Sequence, residues 1–152
     1  MKKQLLDHHL KTIFRDGHFY LCLGLGPMAW WLIAYFQPVR DYWALPQIAW
    51  YHMALIILVY PLLEEIVFRG LVQEFFTSKI RYRLGILSGA NLLTSLVFVA
   101  MHIFYSQWIW ALVVFFPSLV FGYLKERHQS LVSPILVHAF YNAGYFWFFW
   151  QN

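Results

Sequence analysis

Apolar residues run through this chain in long segments, separated by short clusters of polar and basic residues. Five segments, Phe19–Phe36, Ile48–Phe76, Ile86–Tyr105, Trp108–Tyr123 and Leu131–Trp150, come near or exceed the roughly 20 apolar residues that an α-helix needs to cross a bilayer. The pattern predicts an all-α fold, a polytopic membrane helix bundle of about five transmembrane helices, as a single domain over residues 1–152. The second segment is long enough to tilt, to kink or to leave the membrane as an interfacial helix. Ahead of the first span, Leu6, Leu10, Ile13 and Phe14 share one helical face with Lys2, Lys3, Lys11 and Arg15 nearby, which suits an amphipathic segment on the membrane surface. The polar lead and the Phe36-Gln37-Pro38-Val39 exit show no small-residue cleavage site, so no signal peptide is expected.

Composition agrees with the pattern. With 61% hydrophobic and only 12% charged residues, the chain has too little polar surface to cover a soluble globule, so lipid is the expected solvent. The formal charge of +4 does not imply nucleic acid, because the basic residues sit in clusters between spans rather than on one patch. Lys2, Lys3, Lys11 and Arg15 precede the first span, Lys79, Arg81 and Arg83 follow the second, and Lys125 and Arg127 follow the fourth, all on one side. Only Arg40 lies in a loop on the other side, so the positive-inside rule gives a cytoplasmic N-terminus and an external C-terminus. Trp30, Trp31, Trp43, Trp50, Trp108, Trp110, Trp147 and Trp150 then all fall in the outer half, as an interfacial belt would. Cys22 is the one cysteine, which excludes an internal disulfide, a CxxC redox pair and a cysteine-rich zinc site.

Ionisable groups at bilayer depth cost about 2.5 to 3.5 kcal/mol each on insertion scales, so each needs a reason. Away from the span ends they are Glu64, Glu65, Arg69, His102 and His138, on spans two, three and five. Glu65 and Arg69 stand at i, i+4 and can pair, while Glu64 points about 100° away from them. Pro61 cannot donate to the carbonyl of Ile57 and is expected to kink the helix and open space beside Glu64. His138 and Asn142 stack at i, i+4 on the fifth span. A carboxylate beside neutral imidazoles can take a proton from water as it attacks a carbonyl, while a second imidazole and an amide stabilise the oxyanion.

Three strings carry these residues in order: Glu64-Glu65…Arg69, Phe98…His102 and His138…Asn142. Together they resemble the motifs of the CPBP family, the CAAX proteases and bacteriocin-processing enzymes, over a motif core of about residues 61–142. The resemblance implies an intramembrane endopeptidase in which Glu64 activates water, His102 helps hold it, and His138 with Asn142 forms the oxyanion site. Glu65 and Arg69 are then supporting, and Phe98 packs. The substrate is expected to be a membrane-associated protein, and the short chain leans toward small bacterial members that serve C-terminal sorting signals, in the inner membrane. Glu64, His102 and His138 would also suit zinc with an open position; the reading without a cofactor is preferred.

Competing chemistries are tested by the same residues. The sequence has no His-Glu-x-x-His, and Asp7, Asp16 and Asp41 all lie outside the spans, so zincin and aspartyl-dyad sites are not expected. Ser88, Ser95 and Ser118 have no evident histidine partner and are expected to bond local backbone; Gly85 and Gly89 are expected to be incidental. The alternative from another class is a non-enzymatic membrane protein, either a bacteriocin-immunity-like binder or a proton-conducting bundle. A conductor strings its titratable groups along the membrane normal, whereas a peptidase makes them converge. In the span assignment His102 falls toward the outer end of its helix and His138 toward the inner part of its own, so convergence needs tilt or an axial shift.

Overall fold

The computed structural model describes residues 10–36, 50–104 and 108–149. The expected amphipathic stretch is helical over 10–15, with Ile13 buried and Phe14 half-exposed; Leu6, Trp43 and Trp150 lie outside the described residues. Helix α1 (Gly17–Phe36) follows, its first turn capped by Asp16, whose carboxylate accepts the amide N–H of His18 at 3.1 Å. Helix α2 is a continuous run of five segments: Trp50–Ala54, a π-helical Leu55–Val59, Tyr60–Glu65, a second π-helical Ile66–Val72 and Gln73–Lys79. The first π segment lies over the residues whose carbonyls Pro61 leaves without a donor, and the N–H of Tyr60 reaches back to Leu55. The expected kink is thus expressed as a change of helical register.

A two-residue turn then joins strands β1 (Arg83–Leu84) and β2 (Leu87–Ser88), antiparallel, with Gly85 at φ +61°. This corrects two expectations. The third span begins at Gly89 rather than Ile86, because Ile86 and Leu87 belong to the hairpin, and Gly85 is a turn residue that a side chain would strain. Helix α3 (Gly89–Ile103) is capped by Ser88, which accepts the N–H of Asn91 at 2.9 Å. Helices α4 (Trp108–Val113) and α5 (Phe115–His128) form one nearly continuous rod, and α6 (Val132–Phe149) is the last described helix. By length and composition Gly17–Phe36 and Trp108–His128 are long and apolar enough to cross a membrane; Gly89–Ile103 is apolar but shorter.

Helix α6 is central, packing on α1, α2 and α5, while α3 fits between α2 and α5. Ile13, Phe19, Cys22, Phe121, Leu124 and Val137 form the apolar core where α1, α5 and α6 meet. Elsewhere the usual distribution is inverted: Glu65, Arg69, Gln73, Thr94, Ser95 and Ser118 are fully buried, whereas Leu21, Trp31, Trp50, Leu71, Phe104 and Phe116 are exposed. A polar interior under an apolar surface is the arrangement lipid selects, and the molecule is an all-α membrane bundle. The Trp30 ring packs on Phe140 and Phe148 of α6.

Candidate active site

Helices α2 and α5 run parallel and pack with a constant offset: Arg69 meets Ser118 and Gln73 meets Gly122, each pair 49 residues apart. Arg69 sends Nη2 to the Ser118 carbonyl at 2.9 Å and to its hydroxyl at 3.0 Å. Its Nε lies 3.1 Å from Glu65 Oε2, an ionic contact whose N–H is not aimed for a hydrogen bond. The expected Glu65–Arg69 pair is therefore present and wholly buried.

Glu65 does more than pair with Arg69. Its other oxygen, Oε1, takes the Nδ1–H of His138 at 2.9 Å, because a carboxylate facing an imidazole nitrogen can only accept. Nε2 of His138 then faces Glu64, with 3.6 Å to Oε2, slightly beyond a direct hydrogen bond and short enough for both to touch one oxygen atom. The imidazole is stacked on Phe121 at 4.4 Å and 16°, and meets Phe98 edge-on at 6.2 Å. The same two rings flank the guanidinium of Arg69, at 5.0 and 5.5 Å. Phe98 and Phe121 thus wall a slot holding Arg69, Glu65 and His138 in a row.

His102 also lies against Phe98, 4.4 Å between ring centres, and within electrostatic reach of Glu64. Its Nδ1 donates to the Phe98 carbonyl at 2.9 Å, one turn back, which makes Nε2 the acceptor end of the ring. Phe98 touches both imidazoles, with 4.4 Å between ring centres to His102 and 6.2 Å to His138. Asn142 goes elsewhere: its Nδ2 donates to the Ile56 carbonyl at 3.0 Å, inside the first π segment, rather than to a group shared with His138. Glu64 is the partly open member, its side chain 31% exposed, while Glu65 has no exposure.

Sequence reasoning missed the contribution of α5. Ser118 bonds Arg69 and Ser95, Ser95 bonds Asn91 at 3.3 Å, and Ser88 bonds Glu126, so these hydroxyls act across helices rather than on local backbone alone. The correction has a physical cause: inside lipid a hydroxyl lowers its free energy by finding a polar group on a neighbouring helix. The i, i+4 series Glu65, Arg69, Gln73 and Thr77 was the available signal for one polar stripe on α2. For zinc, no group of three or more His, Cys, Asp or Glu side chains converges at ligand spacing among the described residues, so no step is derived through a metal.

Comparison with known proteins adds the following. Residues 46–144, well over half of the chain, match the family described as type II CAAX prenyl endopeptidase Rce1-like. An uncharacterized 24.3 kDa protein of Escherichia coli is 36% identical over 83 residues, covering 55% of this chain and 37% of that protein. The chain therefore matches well under half of that relative's length. No solved structure matches.

Proposed function

The chain belongs to the type II CAAX prenyl endopeptidase Rce1-like family of membrane proteases, and from that premise we propose that it is an intramembrane endopeptidase using glutamate-activated water. The observation that carries the reading is the approach of Glu64 to His138 at 3.6 Å, from helices 74 residues apart in sequence (138 − 64), with Glu65 fixing the imidazole from behind. Glu64 takes a proton from a water that attacks the scissile carbonyl, and later gives that proton to the leaving amine. His102 accepts a hydrogen bond from the water through Nε2. His138, when doubly protonated, donates from Nε2 to the oxyanion while Nδ1–H stays on Glu65. The Asn142 amide, which gives one N–H to the Ile56 carbonyl, has its second N–H to offer the same oxyanion. Arg69 and Glu65 position His138 rather than touch substrate.

The substrate in this reading is a membrane-associated protein, cut near a C-terminal sorting signal. The enzyme sits in a bacterial cytoplasmic membrane with its N-terminus in the cytoplasm, the side to which Lys79, Arg81, Arg83, Lys125 and Arg127 cluster. The approach of His138 to Glu64, with His102 in electrostatic reach of the same carboxylate, supports this over a binder or a proton conductor, which gains nothing from a carboxylate set beside an oriented imidazole.

The test is quantitative membrane peptidomics of the host with wild type, a deletion and Glu64→Gln. Loss of a general base lowers turnover by about 10²–10⁴, so Glu64→Gln should accumulate the same uncut proteins as the deletion. If Glu64→Gln processes them like wild type, the glutamate mechanism is wrong.

A further inference from the structure

We propose that a file of internal water runs along the seam of α2, α3 and α5, from the basic end of the bundle up to the Glu65–Arg69 pair behind His138. Among the described residues, the buried side-chain atoms without a hydrogen-bond partner are Glu65 Oε2, Arg69 Nε, Arg69 Nη1, Gln73 Oε1 and Thr94 Oγ1. Four of these atoms belong to α2 and the fifth to α3, the helix packed beside it. Glu65, Arg69 and Gln73 follow one another along α2, Arg69 and Gln73 both reaching α5, and Thr94 is on α3, which packs against the Gln73–Lys79 segment.

The set has the chemistry that water requires. Arg69 offers donors, Glu65 and Gln73 offer acceptors, and Thr94 offers either, while a buried water makes two to four hydrogen bonds to such groups. Glu65 Oε2 and Arg69 Nε already face each other at 3.1 Å as an ion pair, but Arg69 Nη1, Gln73 Oε1 and Thr94 Oγ1 would each cost on the order of 1–3 kcal/mol if left dry, and lipid offers no substitute partner. The seam is otherwise hydrogen-bonded throughout: Ser118 to Ser95, Ser95 to Asn91, Asn91 to the Leu119 carbonyl at 2.9 Å, and Gln73 to Glu126 at 2.8 Å. Unmet valences therefore mark places for a small ligand, not loose packing. At the lower end Glu126 Oε2 lies 3.9 Å from Arg83, whose side chain is 59% exposed, so the file begins at bulk water. At the upper end it reaches the carboxylate that orients His138.

A hydrolase buried in lipid consumes one water per bond cut, and this seam is a supply route separate from the face where a substrate would meet Glu64. That catalytic use rests on the peptidase reading; the water itself does not. The experiment is water-edited NMR on the full chain in lipid nanodiscs, labelled with ¹⁵N at arginine and glutamine, the Arg69 signals being identified by contacts to the rings of Phe98 and Phe121. The expected result is rapid magnetisation transfer from water to Arg69 Nε–H and Gln73 Nε2–H, near the rate seen at exposed Arg83. Gln73→Leu with Thr94→Val should slow the transfer to Arg69 severalfold. A wild-type Arg69 that receives no water magnetisation overturns the proposal without any variant having to fold. Transfer that is unchanged in the double variant also overturns it, since the water would then enter from the Glu64 side. Glu64→Gln peptidomics reports on the peptidase independently, so failure of either idea is read from its own measurement.

Discussion

Glu65 carries more of the site than any other residue, holding a buried guanidinium with one oxygen and an imidazole with the other. Removing its charge leaves the wholly buried Arg69 without a counter-ion, and breaking a buried pair on one side costs about 3–5 kcal/mol. Glu65→Gln should therefore lower the thermal unfolding temperature in detergent micelles markedly. The double variant Glu65→Leu/Arg69→Met removes both charges and should regain most of that loss, yet remain inactive because His138 has lost its orienting partner. A Glu65→Gln protein that melts like wild type would show that the pair does not stabilise the fold. Phe121 is the residue whose role could not be anticipated, since nothing in an apolar span says which phenylalanine will stack on a histidine 17 residues on (138 − 121).

At the scale of helices, α3 and α5 approach so closely that a Cβ on Gly122 would lie 2.0 Å from Asn91 Oδ1. Gly122→Ala should destabilise the bundle by about 1–3 kcal/mol, the usual cost of overpacking, and Asn91→Ala in the same chain should recover most of it. Thermal melts of the two single variants and the double variant decide this, and an additive cycle would mean that the contact is not made. The five apolar segments that become α1, α2, α3, the α4–α5 rod and α6 were legible in the sequence, because a run of apolar residues reports directly on the solvent it meets. The start of α3 was not, since Ile86 and Leu87 are as apolar as the helix that follows and only the conformation of Gly85 separates them. Glu64, Glu65, Arg69, His102 and His138 were legible as costly residues needing partners, and the i, i+4 rule gave the Glu65–Arg69 pair. The bonds from Glu65 to His138 and from Asn142 to Ile56 were not, because both depend on how α6 registers against α2, which local spacing does not encode. The parallel register that brings Ser118 to Arg69 escaped for the same reason.

Across the whole molecule, the basic end of the bundle is tied together by Asp16, which joins the start of α1 to the α5–α6 turn. Its carboxylate pairs with Arg127 and accepts from His128 Nε2 at 2.9 Å, while His128 Nδ1 meets Ser133 at 2.8 Å, so three helices share one anion. The Arg127 hydrogen bond chiefly, then the His18 amide and His128, hold the Asp16 carboxyl well below the usual carboxylate range, against the opposing effect of burial. The sign of the pH dependence follows. A carboxyl with a depressed folded-state pKa contributes its stability fully above the unfolded value of about 3.9 and loses it as pH falls below that. Thermal melts between neutral pH and the acid limit should thus fall more steeply for wild type than for Asp16→Asn, the two curves converging at the acid end. The contribution is modest, because the group lies near the surface where solvent screens it, and added salt should shrink the neutral-pH difference further. Two parallel curves would mean that Asp16 titrates as it does in the unfolded chain, and that the α1 end is held by Ile13 and Phe19 in the apolar core instead.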